Sequence, residues 1–159
     1  MGQNQKGFSL VELIVVIAIM AVLGTVGVLS FATVTGRQVT SCAKELESYI
    51  GQTRIQALSR EKAELKIFTR SDGVYVNLSV EGRDIKIGRS GLQVRYTTNT
   101  GASVELSETE CLVLTFDRSS GAFCALAEGG YCKELIVENG HHSKKLVLIP
   151  VTGKFYIEE

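Results

Sequence analysis

The chain has 159 residues, and its 17 Lys and Arg balance 17 Asp and Glu, so its formal net charge is zero. A neutral chain is not a polycation adapted to nucleic acid, and an apolar content of 45% excludes a disordered chain. The length fits one domain with an appendage.

The first predicted element is a long apolar helix. Residues 8–31 contain a single ionisable side chain, Glu12. With a rise of 1.5 Å per residue such a helix is about 36 Å long, and the hydrocarbon core of a bilayer is roughly 30 Å thick. Because no polar stripe recurs at helical period, the segment is predicted to be a membrane helix or a secretion signal.

A cleaved secretion signal is the competing interpretation. Lys6 would supply its basic start and residues 30–32 its cleavage site, which predicts a mature N-terminus near Thr33. The apolar run is longer than such signals, and it carries a carboxylate near its start. Because an ionised side chain costs about 2.5–3.5 kcal/mol at mid-bilayer, and less near the interface, Glu12 is a candidate functional residue.

The residues around Glu12 form a specific pattern. Gly7 and Phe8 are followed by an acid four residues after the Phe, at the start of an apolar helix. This arrangement closely resembles the type IV prepilin signature. The resemblance implies that a prepilin peptidase/methyltransferase cuts between Gly7 and Phe8 on the cytoplasmic side and methylates the new Phe8 amine. Residues 1–7 would then be a leader peptide.

A processed Phe8 would give Glu12 a partner of opposite charge. The ordinary pKa of an α-amino group is about 7.7–8, so the amine is largely cationic at neutral pH. The resemblance implies that Glu12 of an incoming subunit neutralises the Phe8 amine of its neighbour in a filament. An unpaired charge would then penalise a subunit that stops at the wrong height. The alternative is that Glu12 only marks the peptidase site.

The apolar helix departs from the family pattern in one respect. Many pilins carry a proline in the lower-middle part of this helix, whereas the only proline here is Pro150. Gly24 and Gly27 occupy that region instead. Glycine weakens a helix by about 1 kcal/mol relative to alanine, so the helix either loosens there or uses the glycines as contacts between packed helices.

Residues 32–60 are predicted to continue the helix as an amphipathic segment. Apolar or small residues recur at three-and-four spacing, at Val39, Cys42, Ala43, Leu46, Tyr49, Ile50, Thr53, Ala57 and Leu58. The other faces carry charges of both signs. This pattern favours a helix that packs on a sheet over a helix that lies on a membrane surface.

Residues 61–159 are predicted to form a strand-rich head. Short apolar segments between turns predict strands over 65–68, 74–78, 85–87, 92–96, 103–106, 111–116, 122–124, 135–137, 146–149 and 155–157. The uninterrupted apolar run 111–116 predicts a strand buried on both faces. The expected fold class is α+β and pilin-like, with a long N-terminal helix, half hydrophobic and half amphipathic, packed on a mostly antiparallel sheet.

Segments of this second half are similar to minor pilins and pseudopilins of the GspH/FimT type. The similar segments are residues 54–57 leading into 65–67, the strand and turn 115–121, and residues 150–155. These patterns are looser than the N-terminal signature. The resemblance implies a subunit that sits at a filament tip or joins the assembly in low copy.

The four cysteines lie in the part that the predicted topology places outside the cytoplasmic membrane. An even number of cysteines in such a compartment favours disulfides. Cys124 and Cys132 flank seven residues that could close a loop, and they are the first candidate pair. Cys42 and Cys111 either pair with each other or remain core thiols. No CxxC motif and no helical His pair is present, so no metal site is predicted.

Two clusters of side chains in the head are candidates for ligand binding. They are His141 with His142, and Lys144 and Lys145 with Lys154. Adjacent histidines rarely ligate one metal together, so the pair predicts a solvated turn. The lysines would suit DNA phosphates, but neighbouring glutamates offset their charge, and the chain has no tryptophan for base stacking. DNA binding is therefore the weaker interpretation.

The predicted function is structural. The sequence has no Gly-rich phosphate loop, nucleophile elbow or HExxH motif, so no enzyme activity and no cofactor is expected. The resemblance implies a subunit, a minor pilin or pseudopilin, of a bacterial type IV pilus, type II secretion or competence filament. The implied partners are other subunits, the peptidase/methyltransferase, the inner-membrane assembly platform and the bilayer, which the chain crosses once with its N-terminus inside and its head outside. The alternative is a membrane-anchored module that binds DNA or a surface ligand and does not polymerise.

Overall fold

The computed structural model describes residues 9–59 and 62–158, and for residues 24–35 it describes the backbone alone. Gly7, Phe8 and the predicted leader lie outside the described residues. The chain divides between Val34 and Thr35 into two units, which are described separately below.

A single helix, α1 (Leu10–Leu58), runs through most of residues 9–59. Its backbone continues without a break past Gly24 and Gly27. In the second unit α1 buries most of the predicted stripe, namely Val39, Cys42, Ala43, Leu46, Ile50, Thr53 and Ala57. The prediction that Leu58 belongs to the buried stripe is wrong, since Leu58 is 43% exposed. At 100° per residue it lies about 80° around the helix from Ile50, on the flank of the buried face.

The described residues after α1 form nine strands. They are β1 (Glu64–Arg70), β2 (Gly73–Leu78), β3 (Asp84–Lys86), β4 (Gln93–Thr98), β5 (Ser103–Glu105), β6 (Leu112–Thr115), β7 (Cys132–Glu138), β8 (Ser143–Ile149) and β9 (Lys154–Glu158). Each lies where a strand was predicted. The predicted strand 122–124 is reduced to an isolated bridge between Phe116 and Phe123.

The strands form two antiparallel sheets rather than one. The first sheet has the order β3-β2-β1-β6, and the second has the order β5-β4-β7-β8-β9. Every strand pair is antiparallel. A β-bulge between Thr97 and Thr98 of β4 shifts the pairing with β7, so that Thr98 lies opposite Cys132.

The prediction that residues 111–116 are buried on both faces is wrong. In β6, Leu112 and Leu114 are buried, whereas Val113 between them is 39% exposed. Val113 pairs with the exposed Lys66 of β1, on the outer face of the first sheet. A sheet that is covered on one face alternates buried and exposed positions whatever their composition. A mostly apolar run, here interrupted only by Thr115, is therefore not sufficient evidence of two-sided burial.

The stripe of α1 and both sheets share one hydrophobic core. Its fully buried large side chains include Val39, Leu46, Ile50, Leu65, Ile67, Val74, Leu78, Leu112, Leu114, Leu135, Leu146 and Leu148. Full burial of one such side chain contributes about 1.5–3 kcal/mol. The fold class is therefore α+β, with the helix on antiparallel sheets, which is consistent with a pilin-like fold.

Candidate functional site

Glu12, at the start of α1, is the residue of the predicted assembly site that the structure describes. Ser9 precedes the helix, and its carbonyl oxygen accepts hydrogen bonds from the Glu12 amide at 3.0 Å and the Leu13 amide at 3.2 Å. Glu12 lies in the first turn and is exposed. A carboxylate in the first turn is favoured by the positive end of the helix dipole. The start of the helix therefore favours the ionised form of the Glu12 side chain.

The apolar side chains that follow Glu12 are exposed. Between residues 10 and 23, every large apolar side chain is at least 44% exposed, from Val16 at 44% to Leu10 at 73%. A continuous apolar surface of this kind marks a contact with protein or membrane. In the part of the chain that the structure describes, no helix has the length and mean hydropathy of a membrane span.

A comparison with known families assigns this segment. The prokaryotic N-terminal methylation motif matches residues 2–28. The match supports a type IV pilin-like family. It covers none of the head, so the similarity to the GspH/FimT type stays a prediction. No curated protein and no solved structure matches the chain.

The motif carries its own functional consequences. It implies processing by a prepilin peptidase and assembly with other pilin subunits. It suggests a chain that is anchored in a membrane and then enters an extracellular filament. It also suggests a structural protein rather than an enzyme.

In the second unit, Arg54 joins α1 to two turns of the head. Its Nε donates a hydrogen bond to the Gly121 carbonyl oxygen at 2.9 Å, and its Nη2 donates one to the Thr152 carbonyl oxygen at 3.2 Å. The two turns also contact each other, since the Phe123 amide donates to the Pro150 carbonyl oxygen at 3.0 Å. The three segments singled out for their GspH/FimT similarity, residues 54–57, 115–121 and 150–155, therefore meet at one place.

The first of these turns is shaped by Asp117. Its Oδ1 accepts hydrogen bonds from the amides and the hydroxyls of Ser119 and Ser120, at 2.6–3.1 Å. These bonds hold the pKa of Asp117 well below its usual range, and the bond from the Ser119 hydroxyl has the largest effect. The turn therefore keeps its carboxylate ionised, and it presents the Gly121 carbonyl to Arg54.

Gly153 closes the second turn where no other residue fits. Its φ of +64° is in the left-handed region, and an added Cβ would lie 1.7 Å from the Gly121 carbonyl oxygen. Contact at that distance between a carbon and a backbone atom forces the two turns apart. The sequence pattern did not predict that Arg54 bonds to these two turns, or that Gly153 lies against Gly121. The available signal was that Arg54 borders the buried stripe of α1.

We expect Gly153→Ala to destabilise the head far more than Gly140→Ala. Gly140 also has a positive φ, +83°, but a Cβ there meets nothing within 4 Å. The left-handed conformation alone costs about 1–2 kcal/mol, and separation of the turns adds to this, so Gly153→Ala should lose about 3 kcal/mol or more. Thermal unfolding of the full chain in detergent, followed by near-UV circular dichroism, measures the difference. Equal losses would contradict the close contact.

The structure has all four cysteines as free thiols. Cys42 and Cys132 are buried, and desolvation, the main cause, raises the pKa of each thiol to about 12. Cys111 and Cys124 are half-buried. The pairing of Cys124 with Cys132, and of Cys42 with Cys111, stays a prediction.

We expect the reduced chain to show two classes of thiol. The thiolate is the form that reacts, so burial and a raised pKa should make alkylation of Cys42 and Cys132 about tenfold slower or more than that of Cys111 and Cys124. Iodoacetamide labelling at pH 8, resolved by peptide mass spectrometry, measures the four rates. In denaturant the four rates should converge. Fast labelling of Cys42 in the native chain would show that α1 does not cover it.

The predicted lysine cluster is not a single patch. Lys145 Nζ lies 2.9 Å from Glu158 Oε2, and the hydrogen bond to this carboxylate raises the pKa of Lys145. Lys154 lies opposite Ile149, at the other end of the β8–β9 ladder. The charges that were proposed for DNA phosphates are therefore separated, and one of them is already paired.

His141 and His142 are exposed, as the prediction of a solvated turn requires. Both amides donate to Asn139 Oδ1, the His142 amide at 3.0 Å. The His142 ring also lies beside α1, 3.5 Å from the position that a Cβ on Gly36 would occupy. Over the described ranges, no group of three or more His, Cys, Asp and Glu side chains is placed to hold a metal ion.

Sequence reasoning missed a polar network on the outer face of the first sheet. The rings of Phe68 and Tyr75 stack at 5.8 Å, and the Arg70 guanidinium lies 4.9 and 4.8 Å from their centroids. Arg70 also pairs with Asp84 at 2.8 Å. The hydrogen bond from Asn77, then that from Arg70, lowers the pKa of Asp84. Because its charges pair with one another, the network ties β1, β2 and β3 together.

Proposed function

We propose that the chain is a minor pilin or pseudopilin of a bacterial type IV filament machine. The cleavage site lies between Gly7 and Phe8, and Phe8 is the methylated N-terminus of the mature subunit. The proposal rests first on the methylation motif over residues 2–28. The likeness of the head segments to the GspH/FimT type favours a low-copy subunit over a shaft subunit.

The exposed apolar start of α1 is the observation that supports assembly. Its large side chains between residues 10 and 23 are 44–73% exposed, and Glu12 is the one charge among them. Such a surface is stable either in lipid or against other helices of the same kind. A subunit that leaves the bilayer for a filament exchanges the first environment for the second.

Glu12 gives this exchange its specificity. In lipid an unpaired carboxylate costs about 2.5–3.5 kcal/mol at the bilayer centre, and less near the interface, where the first turn of the helix would place Glu12. The amine of a processed Phe8 on a neighbouring subunit removes that cost when the two helices are in register. A shift along the helix axis by one turn, about 5.4 Å, leaves both charges unpaired. Neutralisation therefore selects one subunit height.

The proposed organisation follows from these roles. Residues 1–7 are the leader, residues 8–31 the membrane and filament-core helix, residues 32–60 the amphipathic part of the helix, and residues 61–159 the head. The precursor crosses the inner membrane once with its N-terminus inside. The peptidase/methyltransferase, the assembly platform and other subunits are its partners.

The mature N-terminus tests this proposal directly. We expect N-terminal sequencing of the protein from its native membrane to begin at Phe8, with a mass increase of one methyl group. Replacement of Gly7 by a bulky residue should leave the leader attached, because the peptidase site requires a small residue there. A mature chain that begins near Thr33 would instead identify a secretion signal and overturn the proposal.

Glu12→Gln should separate processing from assembly. The variant keeps the size of the side chain but cannot neutralise an amine, so we expect normal cleavage and a loss of about tenfold or more in the filament fraction. Quantitative immunoblots of sheared filaments and membranes measure the two. Glu64→Gln, which changes an exposed carboxylate of β1, is the matched control.

Two results would contradict the role of Glu12 or of assembly. Normal incorporation of the Glu12→Gln subunit would mean that Glu12 serves only to mark the peptidase site. Absence of any crosslink between subunits at Gly24, in a strain with intact filaments, would favour the membrane-anchored module that does not polymerise.

A further inference from the structure

The two sheets end in four edge strands, and three of these are short or covered. β3 and β5 have three residues each. The outer side of β6 is occupied by the segment after the Asp117 turn, since Phe123 bridges Phe116 and the Cys124 amide donates to the Thr115 carbonyl oxygen at 2.9 Å. Short edges and covered edges are the usual protection against pairing with another chain.

The fourth edge, β9, is longer than β3 and β5, and no described strand or bridge covers its outer side. It has five residues and, among the described elements, pairs only with β8. Its central residue, Tyr156, is 48% exposed, and the strand contains no proline. An edge of this length presents unpaired amide and carbonyl groups that can extend the sheet.

We propose that β9 pairs with β9 of a second copy of this chain, antiparallel, about a two-fold axis at Tyr156. This register places Lys154 of each copy opposite Glu158 of the other. Opposite charges directly across an antiparallel pair are stabilising, and like charges are destabilising. The charges at the two ends of the strand are therefore self-complementary in this one orientation.

The two faces of β9 support the same register. Lys154, Tyr156 and Glu158 are exposed, whereas Phe155 and Ile157 are half-buried and pack against the core. Centring on Tyr156 puts Phe155 of one copy opposite Ile157 of the other, so both become more buried. A slip by one residue would oppose outward and inward side chains, which a half-buried sheet resists.

The existing ion pair of β9 fits the arrangement. Glu158 already accepts Lys145 at 2.9 Å on the outer face. Lys154 of the second copy would bring a second cation to the same carboxylate, whose two oxygens can accept both. Each end of the paired strands would then hold two lysines and one glutamate.

Pairing through β9 goes beyond the proposed function and does not depend on it. A two-fold contact uses the same surface twice and closes on itself, whereas a filament requires a head-to-tail contact that stays open. The proposed pairing would therefore join heads that do not take part in the repeating contacts of a filament shaft. Failure of Glu12 in assembly would leave this pairing unaffected.

Site-specific photocrosslinking tests the proposal on the full chain in detergent micelles. With p-benzoyl-phenylalanine in place of Tyr156, we expect crosslinked pairs whose mass spectra join residue 156 to the β9 peptide of another copy. The same probe in place of Tyr131, which is 38% exposed on a loop, is the matched control and should give no crosslink to β9. Absence of crosslinks from position 156, or crosslinks only to other peptides or other proteins, would overturn the proposal.

Charge reversal tests the register within the same experiment. Lys154→Glu and Glu158→Lys each place like charges across the pair, so each variant alone should lose about tenfold of the position-156 crosslink. A mixture of the two variants restores opposite charges at both ends and should recover it. Near-UV circular dichroism establishes that each variant is folded. A crosslink that is insensitive to the reversals, or that the mixture does not recover, would contradict the register.

Discussion

The burial of one helical stripe beneath two sheets is the interaction on which the head depends. Leu46 and Ile50 of α1 lie in the same core as Leu65 of the first sheet and Leu146 of the second, and all four are fully buried. Each sheet alone would expose an apolar face, and burying one face per sheet against the helix removes this cost. The inner faces of β1, β2, β4, β7 and β8 are therefore mostly apolar, while the outer faces of β1, β4, β7 and β8 carry charges that pair across strands.

Much of this arrangement can be predicted from the sequence, because the spacing of apolar residues determines which side of each helix or strand is buried. The three-and-four spacing from Val39 to Ala57 specifies which side of α1 is buried, and alternation in β1 and β2 specifies which residues face it. The N-terminal site is readable for another reason, since a lone carboxylate in an apolar helix is costly and its spacing from a Gly and a Phe is specific. Leu58 and Val113 show where such predictions fail. Both are apolar and were expected to be buried, but the position of each around its helix or along its strand leaves it exposed.

Contacts between segments distant in the chain were not readable. Arg54 lies 67 residues from Gly121 and 98 from Thr152, and no periodicity relates them. The same holds for the division into two sheets, because β6 joins β1 across more than forty intervening residues while β4 joins β7. Local pattern specifies strands, whereas strand order depends on the loops and on which edges remain free.

The side chains of the two units have different surroundings. Substitutions in one unit are therefore expected to affect a different property from substitutions in the other. The second unit has its own core and its own hydrogen-bonded turns, so changes at Leu46 or Gly153 act on the free energy of unfolding. The apolar side chains described between residues 10 and 23 are exposed, so in the proposed function their contribution comes from lipid or from neighbouring helices. In the proposed function, a change at Glu12 therefore acts on the equilibrium between membrane and filament while leaving the head folded. The proposed assembly requires this separation, because the helix would change its environment while the head keeps one structure.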